Sequence, residues 1–295
     1  MSFIVTTDSG CDLPLSLLQE RDITPIMFVY TLDGVDHRDT MENYHEFYEC
    51  MRAGQIAKTS QINPYEYEDF WRPMLEKGKP IVHIALGSGV SSTYSNGLLA
   101  AESLMEEIPG SKIYVVDSTL CSTGYGMLAL RAAEMRDAGV DAEECVAWLN
   151  EHKINVNTWY TTDELLYLRR SGRCSCASAI IGTALNICPI LNLDSEGHLI
   201  VQERVRGLKK TIARIHEIIG STLDESVSEQ TLYICHSDIE EKAKEFGESL
   251  KEEFGFKDTY YTYIGTIIGS NCGPGLMAAF YFGKPRTMKG YTTEK

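Results

Sequence analysis

No apolar run in this chain approaches the roughly 18 residues that a membrane helix needs, so no membrane span is expected. Basic charge is scarce too: 27 Lys and Arg stand against 42 Asp and Glu, a net charge of −15. Nucleic-acid binding depends on a broad basic field that displaces counterions from phosphates, and this balance argues against it, as it argues against an anionic membrane surface. Cysteine is present but unorganised. Nine are scattered, mostly inside apolar stretches, and Cys174-Ser175-Cys176 is the only close pair. A zinc site would want a second pair at ligand spacing, so no metal is expected, and scattered cysteine fits a reduced cytoplasm. The start, Met1 to Asp8, lacks the basic segment and apolar stretch of a secretory signal. Missing as well are a G-x-x-x-x-G-K-[ST] phosphate loop, a G-x-G-x-x-G after a strand and a G-x-S-x-G elbow. No cofactor is expected.

What is there reads as two α/β halves. Phe3–Thr7, Ile23–Val29, Ile81–Leu86 and Ile113–Val116 are short apolar runs, separated by helical patterns near 42–54, 64–77, 91–108, 121–138 and 142–152. In the 91–108 segment Tyr94, Leu98, Ala101, Met105 and Ile108 step by four and three, one face of a helix. Nearly continuous apolar strands with helical crossovers imply a parallel sheet covered on both faces. The second half differs. Leu191–Leu193 and His198–Val201 flank a Gly-containing turn, which predicts a hairpin; helices near 207–223 and 238–253 alternate with strands Thr231–Cys235 and Thr259–Ile264. The pattern predicts a three-layer parallel-sheet domain over 1–155 and a mixed-sheet α/β domain over 156–295, its helices on one side, with a ligand cleft between the two.

In an open parallel sheet ligands bind beyond the carboxyl ends of the strands. Here those ends carry hydroxyls and glycine: Thr7-Asp8-Ser9-Gly10, Gly87-Ser88-Gly89-Val90-Ser91-Ser92-Thr93 and Asp117-Ser118-Thr119. Each precedes a helix, where serine and threonine commonly cap, and that reading suits the first and third. Around 87–93 one cap is needed and four hydroxyls are supplied, so an anion site at a helix start is the stronger reading. Lys58-Thr59-Ser60-Gln61 is a second run of donors without a carboxylate, placed in a loop. A serine nucleophile would need a base, and His236, at a strand end, is the histidine best placed to approach a cleft. Cations gather in two short stretches, Arg169, Arg170 and Arg173, then Arg204, Arg206, Lys209 and Lys210. They either dock a partner or phosphate, or guard a strand edge.

The ordered set of these segments resembles the DegV family of bacterial fatty-acid-binding proteins. It comprises Thr7-Asp8-Ser9 with Asp12-Leu13, Lys58-Thr59-Ser60-Gln61, Ser88-Gly89 through Ser91-Ser92-Thr93-Tyr94, Val116-Asp117-Ser118, Leu165 to Arg173 with Ile181-Gly182, Lys209-Lys210 and Gly273-Pro274-Gly275. The resemblance implies two α/β domains with a long-chain fatty acid in a tunnel between them. Its carboxylate would be held by Thr59 and by Ser91 or Ser92, with Ser60 adding a donor. It implies too a carrier that presents the acid to a separate kinase subunit, which makes acyl phosphate for phospholipid synthesis; Arg173, Arg204 and Arg206 would dock that partner. Family members usually carry histidine two residues before Gly-Pro-Gly, and Asn271 stands there, an amide that donates at every pH but carries no charge. A neutral pocket of hydroxyls suits a carboxylate, and the tail supplies affinity at about 0.8 kcal/mol per buried CH₂. Two other readings remain, a serine hydrolase acting on acyl esters and a carrier of another amphipathic carboxylate.

Overall fold

The computed structural model describes residues 2–162, 164–172 and 186–288. Arg173, the Cys174–Cys176 pair and Ile181-Gly182 lie outside the described residues.

Four apolar runs pair in parallel as the first sheet: Ile4–Asp8 (β1), Ile23–Ile26 (β2), Ile81–Ala85 (β6) and Ile113–Asp117 (β7), in the order β2-β1-β6-β7. Helices cross over between them, Leu15–Glu20 (α1), Pro64–Leu75 (α3) and Thr93–Glu107 (α4), and Thr123–Asp137 (α5) and Ala142–His152 (α6) follow. Asn63 starts α3 by a reciprocal cap: its side chain accepts from Glu66 N at 3.1 Å while Glu66 Oε2 accepts from Asn63 N at 2.8 Å. Between β2 and α3 lies an insertion. Val29–Leu32 (β3), Val35–Arg38 (β4) and Ala57–Thr59 (β5) form a small antiparallel sheet in the order β4-β3-β5, with helix Tyr44–Arg52 (α2).

The second sheet is mixed. Val156–Thr161 (β8), Ile187–Leu193 (β9), Leu199–Arg206 (β10), Thr231–His236 (β11), Asp258–Tyr263 (β12) and Met277–Phe282 (β13) run in the order β10-β9-β8-β13-β11-β12. Only β11 and β12 pair in parallel. Helices Leu165–Ser171 (α7), Leu208–Thr222 (α8), Glu240–Phe254 (α9) and Thr266–Cys272 (α10) complete the described elements. On this ground we propose the division between residues 155 and 156: β8 opens the second sheet at Val156.

The strand period of two explains how the halves pack. Along β13, Met277, Ala279 and Tyr281 join the core under α8 and α9, whereas Ala278 and Phe280 join the core that runs through the first domain. One face of the second sheet therefore meets helices and the other meets the first domain, so β13 is buried on both faces. Helix α5 sits at that junction and is buried nearly all round, from Thr123 to Met135. Its glycines let neighbours in: a Cβ on Gly124 would lie 3.1 Å from Phe280 Cδ1, and one on Gly126 would lie 2.9 Å from Cys11 O.

Side-chain bonds tie the halves together around this core. Tyr48 Oη donates to Ile264 O at 2.7 Å, and Thr123 Oγ1 lies 2.8 Å from Thr262 Oγ1. Asp238, in the loop after β11, takes His45 Nδ1 at 2.8 Å and Arg52 Nη1 at 2.5 Å, both from α2. Among the described residues buried Arg286 has no carboxylate partner, and its guanidinium donates to Thr119 O at 3.2 Å, Thr119 Oγ1 at 2.9 Å and the carbonyls of Leu193 and Asp194. Burial lowers its pKa to about 10.

Candidate ligand site

A cavity of about 870 Å³, counted out to open solvent, lies between the domains, beyond the carboxyl ends of β6 and β7. Its walls are mostly apolar: Leu86 and Val90 after β6, Phe28, Leu168 of α7, Leu191 and Leu199 from the hairpin of β9 and β10, and Ile267 and Ile268 of α10. Among the described residues no charged side chain lines it. The polar groups are hydroxyls, amides and thiols, among them Thr59, Ser60, Gln61, Ser91, Ser122, Tyr160, Ser171 and Asn271.

Thr59 belongs to β5 rather than to a loop, opposite Tyr30 of β3, and Ser60 N donates to Val29 O at 3.1 Å. Because Asn63 caps α3, neither Thr59 nor Ser60 is needed there, and neither hydroxyl has a partner among the described residues. Both are oriented by backbone pairing and remain available to a ligand. After β6 the four hydroxyls divide. Ser88 Oγ donates to Asp117 Oδ2 at 2.6 Å, while Ser91 Oγ lies 2.8 Å from Thr93 Oγ1 and accepts from Thr93 N at 3.2 Å. Ser92, at the cap position of α4, is exposed, makes no capping bond and does not line the cavity. Asn271 does line it, and its Nδ2 donates to Ile267 O at 2.9 Å within α10.

The strand-end residues expected to cap helices do other work. Thr7 Oγ1 donates to Ile84 O at 2.9 Å across the sheet, and Asp8 forms no capping bond. Asp8 is instead one of three buried carboxylates, with Asp12 and Asp39, that support the cavity from the first domain. Asp8 accepts from Leu86 N at 3.0 Å and from Tyr125 Oη, and burial raises its pKa from 3.8 to about 6. Asp12 accepts from Gly265 N at 2.9 Å and from Ser122 Oγ at 2.5 Å, and burial pushes its pKa well up. Asp39 Oδ1 accepts from Thr266 Oγ1 at 3.0 Å and Met41 N at 3.2 Å, again with a pKa raised by burial. Two of these acids thus seize the start of α10, a second-domain helix, and thereby fix Ile267, Ile268 and Asn271 in the wall.

Sequence reasoning missed Ser122, Tyr160 and Ser171. Ser122 follows β7 with φ 55°, a left-handed backbone uncommon for serine, and its hydroxyl reaches both Asp12 and Cys235 Sγ at 3.5 Å. The available signal was the polar run Ser118-Thr119 leading to Ser122-Thr123-Gly124, longer than a single cap requires. Tyr160 Oη lies 3.3 Å from Cys121 Sγ in the wall, which only the pairing of β8 with β9 reveals. His236 is buried and does not line the cavity; Ile239 N donates to its Nδ1 at 3.4 Å, and its ring packs 4.4 Å from that of Tyr263. Arg204 and Arg206 are exposed on β10, the edge strand, away from the cavity, and among the described residues neither forms an ion pair.

Parallel and mixed α/β domains closing on an uncharged, largely apolar cavity define a class of interdomain ligand-binding protein. The DegV family's sequence profile matches residues 2–284, and the chain belongs to that family. A DegV domain-containing protein of Clostridium perfringens is 32% identical over 95% of this chain and 97% of its own length. Among solved structures, DegV of Bacillus subtilis, a fatty acid binding protein, superposes with a TM-score of 0.82 at 27% identity, over 96% of this chain and 100% of that one. A DegV family protein of Thermus thermophilus, solved to show fatty acid binding, is 26% identical with a TM-score of 0.82 and the same coverage. No helix among the described residues is long and apolar enough to cross a membrane.

Proposed function

We propose that this protein binds a long-chain fatty acid in the interdomain cavity. The carboxylate lies at the end formed by Thr59, Ser60, Ser91 and Asn271, and the tail runs along Leu86, Leu191, Leu199 and Ile267. One observation carries the reading: among the described residues the lining is mostly apolar and holds no charged side chain, yet the hydroxyls of Thr59 and Ser60 there have no partner. Such donors satisfy a carboxylate without a countercharge, and burying the tail yields on the order of 10 kcal/mol before the costs of binding. The fatty acids bound by relatives with this fold support the same ligand class.

The protein then acts as a cytoplasmic carrier, presenting the carboxylate to a separate kinase subunit that forms acyl phosphate for phospholipid synthesis. Arg204 and Arg206, exposed on β10 and in no ion pair among the described residues, suit a docking surface for that subunit. A serine hydrolase fits less well. Ser91 and Ser122 are the cavity serines near helix starts, but Ser91 bonds to Thr93, Ser122 bonds to Asp12, and His236 is turned to Ile239 N. Calorimetric titration of delipidated protein with palmitate and with its methyl ester tests the ligand reading. Palmitate should bind one to one and the ester much more weakly. Equal affinity for both would remove the carboxylate site.

A further inference from the structure

Away from the cavity, where helix α2 of the first domain meets the loop after β11, three side chains bring metal-binding atoms together. His45, Glu49 and Asp238 each offer one such atom, all within 4.8 Å of one another, and among the described residues no other group of three or more His, Cys, Asp or Glu does so. Their meeting has a simple origin. His45 and Glu49 stand one turn apart on α2 and share a face, and Asp238 reaches them from the second domain. His45 Nδ1 lies 2.8 Å from Asp238 Oδ1. The Asp238 side chain is nearly covered, whereas His45 and Glu49 are open to solvent, so an ion has a way in.

An ion pair with arginine does not use all of these atoms. Arg52 Nη1 donates to Glu49 Oε1 at 2.7 Å and to Asp238 Oδ2 at 2.5 Å, one oxygen of each carboxylate. Among the described residues the other oxygens, Glu49 Oε2 and Asp238 Oδ1, receive no bond except that from His45. Metal-ligating carboxylates are held by outer hydrogen bonds of this kind, which orient the binding oxygen. Imidazole combined with carboxylates suits first-row transition ions such as zinc, whereas magnesium and calcium favour oxygen alone. Zinc bonds these atoms at about 2.0–2.2 Å, so tetrahedral ligands stand roughly 3.4 Å apart. The contact of His45 with Asp238 must open by only about 0.6 Å, and an exposed side chain can swing that far. The ion then takes the place of the proton shared by the pair. We propose that His45, Glu49 and Asp238 form a binding site for a divalent transition-metal ion that joins the two domains, with water completing the coordination. None of the three lines the fatty-acid cavity, and the proposal does not rest on the fatty-acid reading.

The test titrates zinc into chelator-treated, fully reduced protein by calorimetry, for wild type, His45→Ala and Glu49→Gln. Both substitutions fall on exposed side chains and leave Arg52 paired with Asp238, so folding is retained. Wild type should bind zinc saturably, and each variant should lose at least about tenfold in affinity. Zinc should raise the Tm of wild type and not that of the variants, because the ion binds the folded state with its domains in contact. Magnesium should not compete. The nine cysteines are alternative donors, and cobalt separates them. Cobalt held by His45 and the carboxylates gives d–d absorption without a thiolate charge-transfer band, and His45→Ala should abolish it. Zinc affinity equal in all three proteins overturns the site, as does a cobalt spectrum with a thiolate band that His45→Ala leaves unchanged. Absence of saturable zinc binding to wild type overturns it too.

Discussion

Gly89→Ala probes how the domains set the mouth of the cavity. Gly89 lies in the loop after β6, and a Cβ there would sit 2.7 Å from His198 N and closer still to the carbonyl carbon and oxygen of Gly197. These are backbone atoms of the turn between β9 and β10, so no side chain can swing aside. On the far side of that turn, a Cβ on Gly197 would lie 2.9 Å from Thr119 Cα, and Gly197 has φ +84°. Three loops therefore meet with glycine as the only filling, and the added methyl must move one of them. Overpacking of this kind costs about 1–3 kcal/mol, and the upper end applies where backbone must yield. Displacing the loop also shifts Val90 and Ser91, which line the cavity. A lost hydrogen bond to a charged group costs roughly 1.5–3 kcal/mol, so palmitate affinity should fall by about tenfold or more. Thermal unfolding and calorimetry on delipidated protein read both effects, with Tm lower by on the order of 5 °C. Gly197→Ala should resemble Gly89→Ala, and the double variant should cost less than the two together, because both strain one junction. If Gly89→Ala leaves Tm and palmitate affinity unchanged, the loop and turn are not in the contact described and the reasoning fails.

Other predictions follow from individual groups. Thr59→Ala and Ser91→Ala should each weaken palmitate binding by roughly 1.5–3 kcal/mol, while Ser92→Ala, at an exposed position off the cavity, should change little; calorimetry showing the reverse order would move the carboxylate to Ser92. Arg204→Ala with Arg206→Ala should keep fatty-acid affinity and lose acyl phosphate formation by a cognate kinase, more so at low salt; a kinase rate indifferent to both substitutions and to ionic strength would remove the docking role. Asp8 has a folded pKa of about 6 against an ordinary 3.8, so the folded state binds its proton more tightly, and its contribution to stability grows as pH falls from above 6 towards 4. His83, buried and lowered to about 3, works in the opposite sense, losing stability as pH falls below 6.5, so the wild-type profile partly cancels. The difference between Asp8→Asn and wild type isolates the first effect. The variant should gain about 2 kcal/mol relative to wild type on going from pH 4 to pH 7.5, read by denaturant unfolding, and a pH-independent difference would contradict the assignment.

The parallel strands were legible because they are buried or half-buried on both faces: Ile-Val-Thr-Thr-Asp, Ile-Val-His-Ile-Ala and Ile-Tyr-Val-Val-Asp read as largely apolar runs without context. The small sheet was not. Strand β5 is only Ala57-Lys58-Thr59, extended because it pairs with β3 rather than by any local pattern, so its donors read as a loop. Strand β13 was not picked out, although Met277 to Phe282 is an equally continuous apolar run; that its alternate residues serve two different cores is a property of the packing. At the site, Thr59, Ser60, Ser91 and Asn271 were picked out by residue type and order, and all line the cavity. The choice between Ser91 and Ser92 turns on the phase of the helix start, which a sequence of adjacent serines does not reveal. Asp8, Asp12 and Asp39 look like ordinary polar residues in the sequence; their burial, and the hold of Asp12 and Asp39 on α10, are tertiary properties.

Native mass spectrometry of the protein purified from cells without added lipid tests the central claim most directly. The account predicts a one-to-one complex whose extra mass, released on denaturation, is that of a long-chain fatty acid. A ligand-free protein that hydrolyses a long-chain acyl ester would contradict it.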